Sequence, residues 1–323
     1  MSTPTSDIPH RRLGGSGLAV STSGLGCNNL SRTGTVTESL EGSTAVVRAA
    51  LEAGITLFDV ADMYGAPAGR SEEFLGKALG RDRDRVVIAT KFGLDARGAN
   101  GPDYGARGSR RYIRTAVEHS LRRLGTDWID LYQLHEPDQD TPIDETLAAL
   151  DELVKDGKVR YLGHSNFAGW QLADAAWTAQ SNGRTPFISA QNEYSMLQRE
   201  VEAELLPAAE AFGVGVLPYF PLANGLLTGK YTRDSKPDDG RITKLKPQLL
   251  ESAPWDVLEN LQTFADERDI AMVDVAFGWL LAQPAVASVI AGATTPEQVR
   301  ANTRAAQWAP SDDDLVALED ILG

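Results

Sequence analysis

Along the chain, short apolar runs alternate with longer stretches in which apolar residues recur every three or four positions. The runs fall at 23–27, 55–59, 86–91, 129–134, 158–163, 187–191, 215–219 and 287–290, and they have the length and β-branched content of buried strands. Helical spacing covers 43–53, 71–79, 110–124, 142–156, 168–180, 200–212, 255–268, 272–282, 296–306 and 311–321. Ser43 suits an N-cap, and Gly54, Gly80, Gly125, Gly157 and Gly213 stand where helices stop. Strands separated by helices and short turns must pair in parallel through crossover helices. Eight of them predict an α/β fold of the closed (β/α)8 TIM-barrel kind, one domain over residues 1–323. Arg12 to Val20 reads as a β-hairpin around a Gly-rich turn, capping the barrel bottom. Residues 1–10 read as a flexible tail, and the last helices as C-terminal additions to the barrel. An open doubly wound sheet would want Gly-x-Gly-x-x-Gly, and the nearest match, Gly24 to Asn29, lacks the third glycine.

Composition narrows the partners. A net charge of −14 argues against nucleic acid or an anionic membrane as the main partner and leaves small molecules. The single cysteine, Cys27, excludes an intrachain disulfide framework and fits the reducing cytoplasm. No apolar h-region precedes Arg12, and the longest apolar stretch, 275–282, is too short to cross a bilayer. The four histidines are scattered, which argues against a metal site; no Gly-x-Ser-x-Gly elbow or P-loop occurs. Nothing in the sequence sets an oligomeric state.

In a barrel, all strand C-termini meet on one face, so listing them assembles the site. Asp59 and Tyr64 follow one strand, Lys91 ends the next, and His135 follows the one after. Ser165 and Asn166, Gln191 and Tyr219 come next. A free phenol has a pKa near ~10 and is a poor acid at neutral pH. A neighbouring ammonium lowers it, so Lys91, held by Asp59, would make Tyr64 a better proton donor. His135 could orient a carbonyl oxygen beside it. Taken singly, Lys91 reads as a solvent-seeking lysine and His135 as a structural histidine. Four such residues on adjacent strand ends outweigh that reading. No second strand-end acid accompanies Asp59, as a retaining glycosidase would require. Cys27 reads as a small lining residue rather than a nucleophile.

The segments Phe58–Gly65, Thr90–Gly93, Asp130–His135, Gly163–Phe167, Gln191–Ser195, Tyr219–Tyr231 and Gly292–Gln298 with Asn302 resemble the aldo-keto reductase family, in family order. The resemblance implies an NADP-dependent enzyme that reduces an aldehyde or ketone, with Asp59, Tyr64, Lys91 and His135 as the catalytic tetrad. Tyr219 would stack on the nicotinamide while Ser165, Asn166 and Gln191 grip its carboxamide. Gly26, Asp59, Phe220, Pro221, Leu222, Gly225, Lys230, Gly292, Thr294, Gln298 and Asn302 would complete the cofactor contacts. Gly292 and Gln298 replace the lysine and arginine that often pair a 2′-phosphate, leaving Thr294, Asn302, Arg300 and Arg304 to serve. NADPH is therefore expected, with NADH possible. Phe220 stands where a serine is common. The alternative is a nucleotide-binding, redox-sensing regulatory subunit of the potassium-channel β type, against which the lack of an exposed apolar stripe counts. The Gly-rich 98–108 loop is expected to lie over the active site.

Overall fold

The computed structural model describes residues 8–237, 242–243 and 246–323, and its centre is a parallel sheet of eight strands. An antiparallel hairpin comes first, β1 (His10–Arg12) with β2 (Ala19–Ser21). The sheet strands are β3 (Ser23–Gly26), β4 (Leu57–Asp59), β5 (Val87–Phe92), β6 (Ile129–Leu134), β7 (Val159–Ser165), β8 (Phe187–Gln191), β9 (Gly215–Val216) and β10 (Val289–Gly292). They pair in chain order, and β10 returns to lie beside β3. The last gap closes where Val216 bridges Val286 in parallel and the Ile290 amide donates to Pro218 O at 3.2 Å. The expected barrel is therefore present.

Helices α1 (Leu40–Glu52), α2 (Arg70–Leu79), α3 (Arg110–Leu124), α4 (Ile143–Lys155), α5 (Gly169–Ser181) and α6 (Leu205–Phe212) follow β3 to β8 in turn. Further helices span Trp255–Asp266, Met272–Ala282, Pro296–Ala305 and Asp312–Leu322. Their apolar faces and the outward side chains of the strands form the shell of the core. Inside the barrel, Leu57, Ala89, Leu131, Leu217 and Ile290 form an apolar layer, and Leu13 of the hairpin plugs it from below. Each such leucine, fully buried, contributes about 1.5–3 kcal/mol. Strand side chains alternate, so two residues further along, three of these strands present Asp59, Lys91 and Gln133 to the same interior. The apolar floor and the polar site are thus two layers of one pattern.

Several boundaries differ from expectation for visible reasons. Ser43 is not the cap of α1: Ser39 accepts the Gly42 amide at 3.0 Å, and the buried Ser43 hydroxyl donates to Thr37 O. The stretch 200–212 splits into a turn at Glu200–Glu202 and α6, which places Pro207 in a first turn where no N–H is needed. The strand at 215–219 stops at Val216, since Pro218 has no amide to donate, and Tyr219 makes only a single bridge to Glu193. Of the expected tail, residues 1–7 lie outside the described residues. Ile8, however, is buried, and Thr22 N donates to Pro9 O. The absence of an exposed apolar stripe also needs correction. Trp170 and Trp177, 65% and 58% exposed, lie seven residues apart on one face of α5. Among the described residues no helix is long and apolar enough to cross a membrane.

Candidate active site

The polar layer centres on Asp59. Lys91 Nζ lies 2.7 Å from both of its oxygens and donates also to Val60 O at 3.1 Å. Gln191 Nε2 donates to Asp59 Oδ1 at 2.8 Å, and Gln133 Nε2 approaches the same oxygen at 3.4 Å. Gln133 is a residue that motif reading passed over, although strand alternation from Leu131 points it inward. Lys91 is completely buried. Burial pulls its ammonium down, but Asp59 and Tyr64 more than offset this, and its pKa stands above the ordinary value. A cation is thereby locked into the strand ends.

Tyr64 lies over this cation, its ring centroid 5.1 Å from Lys91 Nζ. Burial pushes the phenol up, Lys91 pulls it back and Asp59 pushes it up again; the net shift is upward. The expected lowering by Lys91 is therefore present but outweighed, chiefly by burial of the phenol and then by the Asp59 charge. At neutral pH the phenol keeps its proton. His135 meets the Tyr64 ring edge-on at 5.8 Å. Burial and then Lys91 hold its imidazole well below the usual range, so the ring is neutral, and Nδ1 has no partner among the described residues. Cys27 is fully buried with its thiol pushed up by burial and by Asp59, which suits a lining residue and not a nucleophile.

The residues expected to hold a nicotinamide gather on the next strands. Asn166, in the left-handed region at φ 60°, donates to His135 O and Ser165 Oγ and accepts the Tyr219 hydroxyl at 2.9 Å. Ser165 donates to Gln191 O at 2.6 Å. These side chains are thus bonded to one another and to the adjoining strand ends. Phe220 and Asn224 also carry positive φ, and Gly225 has φ 115°, so the chain doubles back above the site. Pro221 is buried and Leu222 half-buried at that turn, and Lys230 folds beside Gly225 and over the Tyr231 ring. Lys246, which sequence reasoning did not single out, donates to Asn224 Oδ1 at 3.0 Å and lies 5.3 Å from the Phe220 ring centroid.

Gly292 pairs with Gly26 at the ends of β10 and β3. A Cβ at Gly292 would stand 2.7 Å from Asn29 Nδ2, so the exposed backbone here forms a narrow cradle edged by Asn28 and Asn29. Neither asparagine carried a recognisable signal in the sequence. Thr294 donates through its amide and hydroxyl to Gln298 Oε1, just before helix Pro296–Ala305, capped by Thr295. Asn302 is buried on that helix, and Arg300 pairs with Glu297 at 3.5 Å. Backbone amides, small residues and a helix start suit an anionic nucleotide, and the residues fit a bound NAD(P)H. A cavity of about 350 Å³, lined by Arg11, Gly14 and Pro284, opens at the opposite end and holds none of these groups.

Comparison with known proteins agrees with this arrangement. The family model described as Aldo/keto reductase family matches residues 24–322. The chain belongs to the aldo/keto reductase family. It is 36% identical over 278 residues to L-glyceraldehyde 3-phosphate reductase of Escherichia coli K12, covering 82% of this chain and 79% of that protein. It is 38% identical to the uncharacterized oxidoreductase YrpG of Bacillus subtilis, covering 96% and 94%. A probable voltage-gated potassium channel subunit beta of Arabidopsis thaliana is 34% identical, covering 94% and 92%. Membership of the aldo/keto reductases makes the protein an oxidoreductase of the NAD(P)H-dependent class.

Proposed function

We propose that the protein reduces an aldehyde or ketone to the alcohol, with NADPH as the expected cofactor and NADH possible, and with Tyr64 as the proton donor. The buried Lys91–Asp59 pair beneath the Tyr64 ring carries the reading. A bound nicotinamide would supply the hydride to the carbonyl carbon. Tyr219, Asn166, Ser165 and Gln191 would hold that ring, and Gly26, Lys230, Gly292, Thr294, Gln298 and Asn302 the rest of the nucleotide. His135, neutral and with a free nitrogen, hydrogen-bonds and orients the substrate oxygen. Tyr64 then gives its proton to that oxygen as negative charge develops, and Lys91 stabilises the phenolate left behind. A phenol that stays protonated at neutral pH suits the reducing direction. The name of the Escherichia coli relative makes a small phosphorylated aldehyde a reasonable first substrate to try.

Titration with NADPH and NADH, followed by tryptophan fluorescence, tests the cofactor half of this reading; turnover of a simple aldehyde tests the other. The Trp170–Trp177 face favours a second reading as a slow, partner-bound regulatory subunit. Rapid turnover with any simple aldehyde excludes it.

A further inference from the structure

The segment between β5 and α3, residues 93–108, is anchored at two points that stand under different parts of the site. Near its middle, the buried Asn100 donates Nδ2 to Asp62 Oδ2 at 2.6 Å and approaches the Tyr112 hydroxyl at 3.2 Å. Asp62 stands two residues before Tyr64, and its amide donates to Lys91 O at 3.1 Å. Arg123 of α3 grips the same point, donating to Asn100 Oδ1 at 2.9 Å, Ala99 O at 3.3 Å and the buried Glu72 at 2.7 Å. It passes so close beneath Gly69 that a Cβ there would lie 2.6 Å from its Cδ. The Gly69 amide in turn donates to Tyr64 O at 3.0 Å.

The second anchor is at the far end. The Gly108 amide donates to Asp138 Oδ2, and Thr146 Oγ1 donates to Gly108 O at 2.8 Å. A Cβ on Gly108 would stand 2.8 Å from Asp138 Oδ2, so the approach requires glycine. Asp138 lies three residues beyond His135. One short segment therefore ties the base of the Tyr64 loop to the loop that follows His135. The segment is thus fixed at its middle to the loop after β4 and at its far end to the loop after β6.

We propose that residues 93–108 form a positioning strap that sets the separation of Tyr64 and His135, with Asn100 and Gly108 as its anchors. The inference rests on the proposed roles of Tyr64 and His135. A strap that fixes two groups around one substrate oxygen acts on the alignment of the reacting atoms and not on the nucleotide cradle at the end of β10. Its removal should therefore lower kcat while leaving cofactor affinity alone.

The test uses the full-length protein saturated with NADPH and 4-nitrobenzaldehyde as the probe. Asn100→Ala should lower kcat by about 10–100-fold at unchanged NADPH affinity, and trypsin should cut faster at Arg97. Asp62→Asn, which keeps a carbonyl oxygen to accept Asn100, should retain near-normal kcat. If Asn100→Ala loses NADPH binding through misfolding, Asp138→Ala removes the other seat from a half-buried position and should show the same fall. Wild-type kcat in Asn100→Ala or Asp138→Ala, in whichever of the two binds NADPH, overturns the strap. Tyr64→Phe measured alongside separates the two claims. If it is inactive while the anchor variants are fully active, only the strap fails; if it turns over normally, the role of Tyr64 and the strap fail together.

Discussion

Lys91 Nζ stands 2.7 Å from each oxygen of Asp59, and neither side chain is more than 5% exposed. A charge pair this deep does not exist for cheap stability, since burying both ions costs about as much as their attraction returns. Its effect is to fix an ammonium beneath the Tyr64 ring at one place on the barrel mouth.

Removing one partner leaves the other charge buried alone. Lys91→Met and Asp59→Leu should each destabilise the protein by about 3–5 kcal/mol, read from urea unfolding. The double variant should lose less than the sum of the two. Additive losses would mean that the pair is not coupled as its geometry requires.

Asp62 should make stability fall toward alkaline pH. Burial first, then Glu72, raises its carboxyl to about 8 in the folded protein. The groups that face it are Glu72, Asn100, Arg123, Tyr112 and Tyr132. Unfolded, an aspartate loses its proton near ~4, so between those values the folded state holds the extra proton. Stability is then lost as pH rises from about 4 to about 8. Urea midpoints at pH 5 and pH 8 should differ more in the wild type than in Asp62→Asn, and equal differences would refute the assignment.

His164 predicts the opposite slope. Its ring is fully buried between Phe167 and Phe187, at centroid distances of 4.4 and 5.4 Å, and neither nitrogen has a partner among the described residues. Burial lowers its pKa to about 3, so the unfolded chain binds a proton that the folded one refuses. Stability is therefore lost as pH falls from about 6.5 toward about 3. His164→Leu removes both the acid sensitivity and an unsatisfied polar group. It should raise stability by about 1–3 kcal/mol, measured by thermal melts at pH 5, and a lowered melting temperature would count against this.

The barrel was legible in the sequence because each strand needs only a short apolar run and each helix an apolar stripe. α3, β6 and β8 begin and end where their residues predict. Asp59, Tyr64, Lys91 and His135 could be gathered because barrel topology brings strand ends together whatever their separation in sequence. The sign of the Tyr64 shift could not be read, since burial is a property of the packed mouth and not of neighbouring residue types. Gln133 was within reach of strand alternation. Asn29, Asn100 and Arg123 were not: each acts across segments far apart in the chain, in contacts that no local spacing encodes.

The central claim is that Tyr64 delivers the proton from its seat above Lys91. Tyr64→Phe keeps the ring and removes only the hydroxyl, so steady-state aldehyde reduction should fall about 10²–10⁴-fold while NADPH quenches tryptophan fluorescence as in the wild type. Turnover equal to the wild type in a variant that binds NADPH normally would contradict the account.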